Sequence, residues 1–139
     1  TNESTGTITS KKGSSAGIYA ISTSAKNTKN KGTIEVGLAG SPEINGVGIY
    51  AEGHQNVENN GNINIRIKNS IGIYGKGTDA EIENKKNITS DASASDAIGI
   101  MADKVKKVTN SSGAKIELQD KNSVGIYVKN LKLKIVEVF

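Results

Sequence analysis

The sequence predicts an all-β chain wound as a parallel β-solenoid, with three short strands per coil and about five coils. Three observations predict it. A five-residue box recurs every 24–31 residues: Ala16-Gly17-Ile18-Tyr19-Ala20, Val47-Gly48-Ile49-Tyr50-Ala51, Ile71-Gly72-Ile73-Tyr74-Gly75, Ile98-Gly99-Ile100-Met101-Ala102 and Val124-Gly125-Ile126-Tyr127-Val128. Between boxes lies a second landmark, an apolar-x-Asn step followed by a short gap and Ile-x-apolar, clearest in Val57-Glu58-Asn59 with Ile63-Asn64-Ile65. The intervals between landmarks vary where polar residues cluster and hold where apolar residues alternate, as strands joined by adjustable turns require.

The elements follow in order. Residues 1–15 hold the tail of a partial coil ending in Thr7-Ile8, and 16–36 make the first full coil. Segment 37–46 is the longest insertion and holds the chain's single proline, Pro42; it is expected to project from the rod and to be dispensable for folding. Residues 47–67, 71–88 and 98–118 supply three more coils, with 89–97 between them read as a flexible Ser/Asp/Ala turn. Residues 129–139 alternate in character but lack the Asn-x-Gly punctuation, and are read as an atypical terminal strand or cap. No stretch carries a 3.6-residue apolar stripe of helical length.

The strand period places Val47, Ile49 and Ala51 on one face of the box, and Gly48 and Tyr50 on the other. Coils about 4.8 Å apart then superpose equivalent residues, giving a rod of roughly 20–25 Å. Ile18, Ile49, Ile73, Ile100 and Ile126 are expected to form a single inward column. One such residue per coil cannot bury itself, so several coils must stack before any is stable.

Composition limits function. Hydrophobic residues make up 35% of the 139 residues, but their phased placement is that of a thin folded coil rather than of disorder. Cysteine is absent, so no disulfide or thiolate metal site is expected. The net charge of +4 rests on scattered lysines with one arginine, Arg66, unlike the clustered arginine and stacking aromatics of nucleic-acid readers; no nucleic-acid partner is expected. No apolar run is long enough to insert in a membrane. The chain starts inside a repeat without a signal peptide, so an upstream segment is expected.

Two side-chain columns invite a second reading. The box tyrosines, Tyr19, Tyr50, Tyr74 and Tyr127, interrupted by Met101, form an outward stripe that either strengthens strand stacking or offers an aromatic surface to a sugar or protein. Together with Pro42 and Glu43 of the insertion they are the candidate ligand or partner surface. Asn30, Asn59, Asn84 and Asn110 form a structural column at the turn after the second strand. There they either adopt left-handed backbone or bond to one another as a ladder. No catalytic, cofactor or metal-binding set is expected: His54 stands alone in a polar turn, and the acids are dispersed. Glu58 and Glu83 fall on adjacent coils, near the separation of a glycosidase pair, but at repeated outward positions.

The alternation of Val-Gly-Ile-Tyr-Ala with Val-x-Asn-x-Gly-x-Ile over residues 5–128 resembles the passenger domains of large bacterial autotransporter adhesins, the repeat-rich fusobacterial type above all. The resemblance implies a right-handed β-helix. It also implies a secreted, non-catalytic stalk, displayed on the cell surface after export through an outer-membrane barrel absent from this sequence. It implies attachment to a protein or glycan of a host or neighbouring bacterial cell. Residues 131–139 depart from the pattern. Two other readings stand beside it: a self-assembling fibre unit joined end to end, since an uncapped solenoid exposes pairing edges, and a β-helix enzyme acting on pectin-like polymers.

Overall fold

The computed structural model describes residues 1–130. The terminal strand or cap expected over 129–139 lies, from Leu131 onward, outside the described residues. Among the described residues there is no helix, and every paired strand is parallel to its neighbour. The strands are β1 (Thr7–Ser10), β2 (Ala16–Asn30), β3 (Thr33–Val36), β4 (Val47–Asn59), β5 (Asn62–Ile65), β6 (Ile71–Lys76), β7 (Glu81–Asn84), β8 (Asn87–Ser90), β9 (Ile98–Asp103), β10 (Lys107–Asn110), β11 (Lys115–Glu117) and β12 (Val124–Lys129). β1, β3, β5, β8 and β11 stack in that order as one wall of a β-solenoid of about five turns. The box strands β2, β4, β6, β9 and β12 form the opposing sheet, to which β7 and β10 attach through the second half of β4.

The predicted register holds. Ile18 pairs with Ile49, Ile49 with Ile73, Ile73 with Ile100 and Ile100 with Ile126. Ile49, Ile73 and Ile100 are fully buried, and they face a second column of Ile34, Ile63 and Ile88 from the opposite wall. Each buried isoleucine contributes about 1.5–3 kcal/mol of transfer free energy, and the contribution exists only while the coils on either side exclude water. The columns are therefore the sequence pattern converted directly into cooperativity along the rod.

Three expectations need correcting. The box does not alternate cleanly, because its glycine points inward with the isoleucine rather than outward with the tyrosine. A Cβ on Gly48 or Gly72 would lie 2.5 or 2.6 Å from the carbonyl oxygen of the glycine one coil on, and would also press on Ile63 or Ile88 of the facing wall. Glycine is required by the close approach of backbone to core, not by room for aromatic rings. Second, the box and the apolar-x-Asn segment are separate strands only in the later coils. In β2 and β4 they run on as continuous strands of 15 and 13 residues. These cross the corner through an irregularity between Ser22 and Lys26, with Gly53 at φ 84° beside Ser22. The result is an exposed ridge at residues 21–27, with Ile21 56% exposed. Third, 89–97 is not simply a loop: Thr89 and Ser90 end β8, and Ala94 and Ala97 are fully buried.

The asparagine column is the ladder alternative. Asn30, Asn59 and Asn84 are fully buried. Asn30 Nδ2 donates to Asn59 Oδ1 at 2.8 Å, Asn59 to Asn84 at 2.7 Å and Asn84 to Asn110 at 2.8 Å. Asn2, which the repeat pattern did not single out, adds a rung by donating to Asn30 Oδ1 at 2.9 Å, and Asn110 closes the run on the Ala114 carbonyl. None of the ladder residues has positive φ. That role falls to another column, Ser14, Asn45, Asn69, Asp96 and Asn122, with φ between 52° and 67°. Each lies two residues ahead of a box and turns the chain into it. Asn and Asp tolerate this conformation better than other residues with a side chain.

Candidate functional site

The box strands set the tyrosines on the outer face in direct register: Tyr19 with Tyr50, Tyr50 with Tyr74, Tyr74 with Met101 and Met101 with Tyr127. Strand spacing dictates ring spacing. The Tyr19 and Tyr50 centroids are 4.8 Å apart with planes inclined 14°, and those of Tyr50 and Tyr74 are 5.0 Å apart at 21°. Tyr50 is therefore covered by a ring on both faces, whereas Tyr19 and Tyr74 each stack through one face only. Tyr19, 65% exposed, is the most accessible of the three. Tyr127 is also exposed and is separated from the trio by Met101.

The stripe is tied down by charge. The Tyr50 hydroxyl donates to Glu52 Oε2 at 2.6 Å, and Glu52 Oε1 accepts from Lys76 Nζ of the next coil at 2.8 Å. The hydrogen bond to Glu52, with partial burial, raises the Tyr50 pKa. The bond from Lys76, then that from Tyr50, lowers the pKa of Glu52. Beside Tyr19 and Tyr50 lies an open depression of about 370 Å³, lined also by Ser14, Ala16, Asn45 and Val47.

Segment 37–46 borders this depression through Asn45, and its ends belong to the rod. Gly37 donates to the Ser10 carbonyl, Ile44 bridges Lys68, and buried Gly46 donates to Ser70 Oγ at 2.9 Å. Glu43 is also engaged: Oε2 accepts from the Gly13 amide at 2.9 Å and Oε1 from Lys12 Nζ at 3.3 Å. The Gly13 amide first, then Lys12, lowers the Glu43 pKa. The projecting part shrinks to Leu38–Pro42, where Leu38 is exposed and Pro42 stands at the tip's edge. The two sequence candidates thus have different fates, Pro42 staying on the projection and Glu43 acting as a clamp.

The structure also decides what the carboxylates are doing. Glu58 and Glu83 are in register on adjacent coils. Lys85 Nζ bridges them, 3.0 Å from Glu58 and 3.1 Å from Glu83, while Lys29 holds the other Glu58 oxygen at 3.0 Å. Hydrogen bonds from Asn60, Lys29 and Lys85 hold the Glu58 pKa down at about 2, so it stays an anion at any ordinary pH and cannot serve as a general acid. Arg66 clamps Glu35 and Asp91 from the coils on either side. His54 Nδ1 lies 3.3 Å from Asp79 of the next coil. Among the described residues, no three His, Cys, Asp or Glu side chains converge as a metal site would need.

Sequence reasoning missed the left-handed column, the ridge at 21–27 and the fifth ladder rung at Asn2. The first was readable from the Asn or Asp standing two residues before four of the five boxes. Compared with protein-family models, with curated proteins and with solved structures, the chain finds no significant match.

Proposed function

We propose that this chain is a non-catalytic passenger stalk. It is displayed on a bacterial surface after export through an outer-membrane barrel, and it contributes to adhesion by contacting a protein or glycan of another cell. The observation that carries the reading is the unbroken register from Ile18 to Ile126, which makes a narrow rod of repeated coils. The resemblance of the phased boxes to autotransporter passengers supports it. So does the pairing of wall acids with lysines of neighbouring coils, which assigns those acids to holding the rod together. The contact surface is the projecting Leu38–Pro42 segment with the adjoining depression at Tyr19 and Tyr50. For a hydrolase of pectin-like polymers, the Glu58–Glu83 pair would lack its general acid, since three hydrogen bonds keep Glu58 ionised.

The test is bead adhesion. Beads coated with the chain should stay on cultured host cells or bacterial lawns through washing, and beads whose Leu38–Pro42 is replaced by a Gly/Ser segment of equal length should wash off. Wild-type beads retained no better than albumin-coated beads would overturn the adhesive reading.

A second reading is end-to-end self-association through the pairing edges that stacked parallel strands offer. Sedimentation velocity over a hundredfold concentration range should show a growing species, and a constant monomer would exclude it.

A further inference from the structure

Tyr19, Tyr50 and Tyr74 combine three properties that a stack needed only for packing would not require together. Their rings are parallel neighbours at 4.8 and 5.0 Å. Tyr19 is exposed and Tyr50 and Tyr74 are half-buried, so an oxidant can reach the stack from solvent. The central hydroxyl is hydrogen-bonded at 2.6 Å to a carboxylate, Glu52. The chain has no cysteine with which to staple its coils.

We propose that this stack is an oxidative cross-linking site, at which a peroxidase-type oxidant couples Tyr50 to Tyr19 or Tyr74 as dityrosine and locks neighbouring coils together. The oxidant removes one electron from each of two tyrosines. A phenol radical cation is a strong acid, and that of Tyr50 passes its proton to Glu52 along the existing hydrogen bond; the partner's proton goes to water. The two neutral radicals form one carbon–carbon bond between ortho carbons. Each ring then rearomatises by moving its displaced ring hydrogen to the phenol oxygen. Two phenols thus lose two electrons and two protons in all, and one hydrogen peroxide takes them up to become two waters. Lys76 keeps Glu52 anionic and in place. The ring that must swing to bring the carbons together has room at Tyr19, the most exposed of the trio.

The same geometry supplies a control. The in-register neighbour of Tyr127 is Met101, so among the described residues Tyr127 has no ring stacked beside it and couples only between molecules.

The experiment treats the dilute full chain with a haem peroxidase and hydrogen peroxide, then follows dityrosine fluorescence and maps linked peptides by mass spectrometry. Monomer should lose two hydrogen atoms and yield a Tyr50 peptide joined to that of Tyr19 or Tyr74. Tyr50→Phe, which keeps the ring, should abolish the link within the monomer. Tyr127→Phe should leave it intact. Met101→Tyr should add a new link to Tyr127. Glu52→Gln, which also gives up the ion pair with Lys76, should slow coupling severalfold at a temperature where circular dichroism shows both proteins folded. The proposal fails if Tyr50→Phe monomer still cross-links internally, or if wild type forms only links between molecules. An unchanged rate in Glu52→Gln would remove the carboxylate's role. None of these outcomes depends on whether the chain is an adhesin.

Discussion

Replacing Asn59 with Asp tests the ladder by inverting its response to pH. In the wild type, Asn59 accepts from Asn30 and donates to Asn84 with no exposure to solvent. Aspartate has the same shape. Protonated, it reproduces both bonds, since its hydroxyl can donate to Asn84 Oδ1. Ionised, it loses the donor, points an oxygen at another oxygen and buries a charge. Leaving the Asn84 carbonyl unpaired costs about 1–3 kcal/mol, and the buried charge adds several more. The protein responds by raising the carboxyl pKa above its ordinary value of about 3.9. A carboxyl whose folded pKa is raised stabilises at low pH, and that contribution disappears as pH rises through the folded value. The variant should therefore melt close to wild type near pH ~4 and far below it near pH ~7. At about 3–5 °C per kcal/mol for a chain of this size, the neutral-pH deficit should exceed roughly 10 °C. Asn59→Ala strands two partners, costs roughly 2–6 kcal/mol and shows no such pH dependence. Thermal melts followed by far-UV circular dichroism at the two pH values decide it. An Asn59→Asp variant with an equal deficit at both would refute the ladder.

The other predictions address the core, the glycines and the charged wall. Ile73→Asp puts a carboxylate into the central apolar column and should leave the chain unfolded at room temperature, whereas Ile73→Val should cost only about 0.5–1.5 kcal/mol in urea titration. Gly72→Ala should destabilise by more than about 1 kcal/mol, because its methyl meets the Gly99 carbonyl oxygen, and Gly113→Ala should owe its smaller cost to backbone φ alone, since nothing lies near its Cβ. Glu58 has a folded pKa of about 2 against an ordinary 4.5, so it stabilises fully above the ordinary value and progressively less as pH falls toward the folded one. Stability in acid titration should therefore fall less steeply for Glu58→Gln between those pH values than for the wild type.

How much of this was legible in the sequence depends on what kind of residue carried the signal. The isoleucine and asparagine columns were legible because one residue type recurs at one phase, and parallel stacking turns phase into contact. The inward glycine was not legible. Strict alternation assigns Gly48 to the tyrosine side, and only the approach of the Gly72 carbonyl shows why the strand departs from it. The fate of Glu43 was hidden for a different reason: its partner, Gly13, offers a backbone amide, which no pattern of side chains reveals. The ridge at 21–27 was read past because Ser-Thr-Ser-Ala is polar enough for a turn, yet Ser22 and Lys26 pair with Gly53 and Gln55 on either side and the three residues between them bulge out of the ladder. For the tyrosines the position was readable, while the use of their ring faces required the distances.

Coil-over-coil register is what every column depends on, and distances along one outward column measure it most directly. Thr9, Glu35, Asn64, Thr89 and Glu117 occupy consecutive rungs of one wall. Cysteine can be introduced in pairs without background, since the native chain has none. Spin labels at Thr9 combined in turn with Asn64, Thr89 and Glu117 should report separations that rise by about 4.8 Å per coil. Separations that fail to rise in that order, or that jump between successive rungs, would contradict the stacked solenoid.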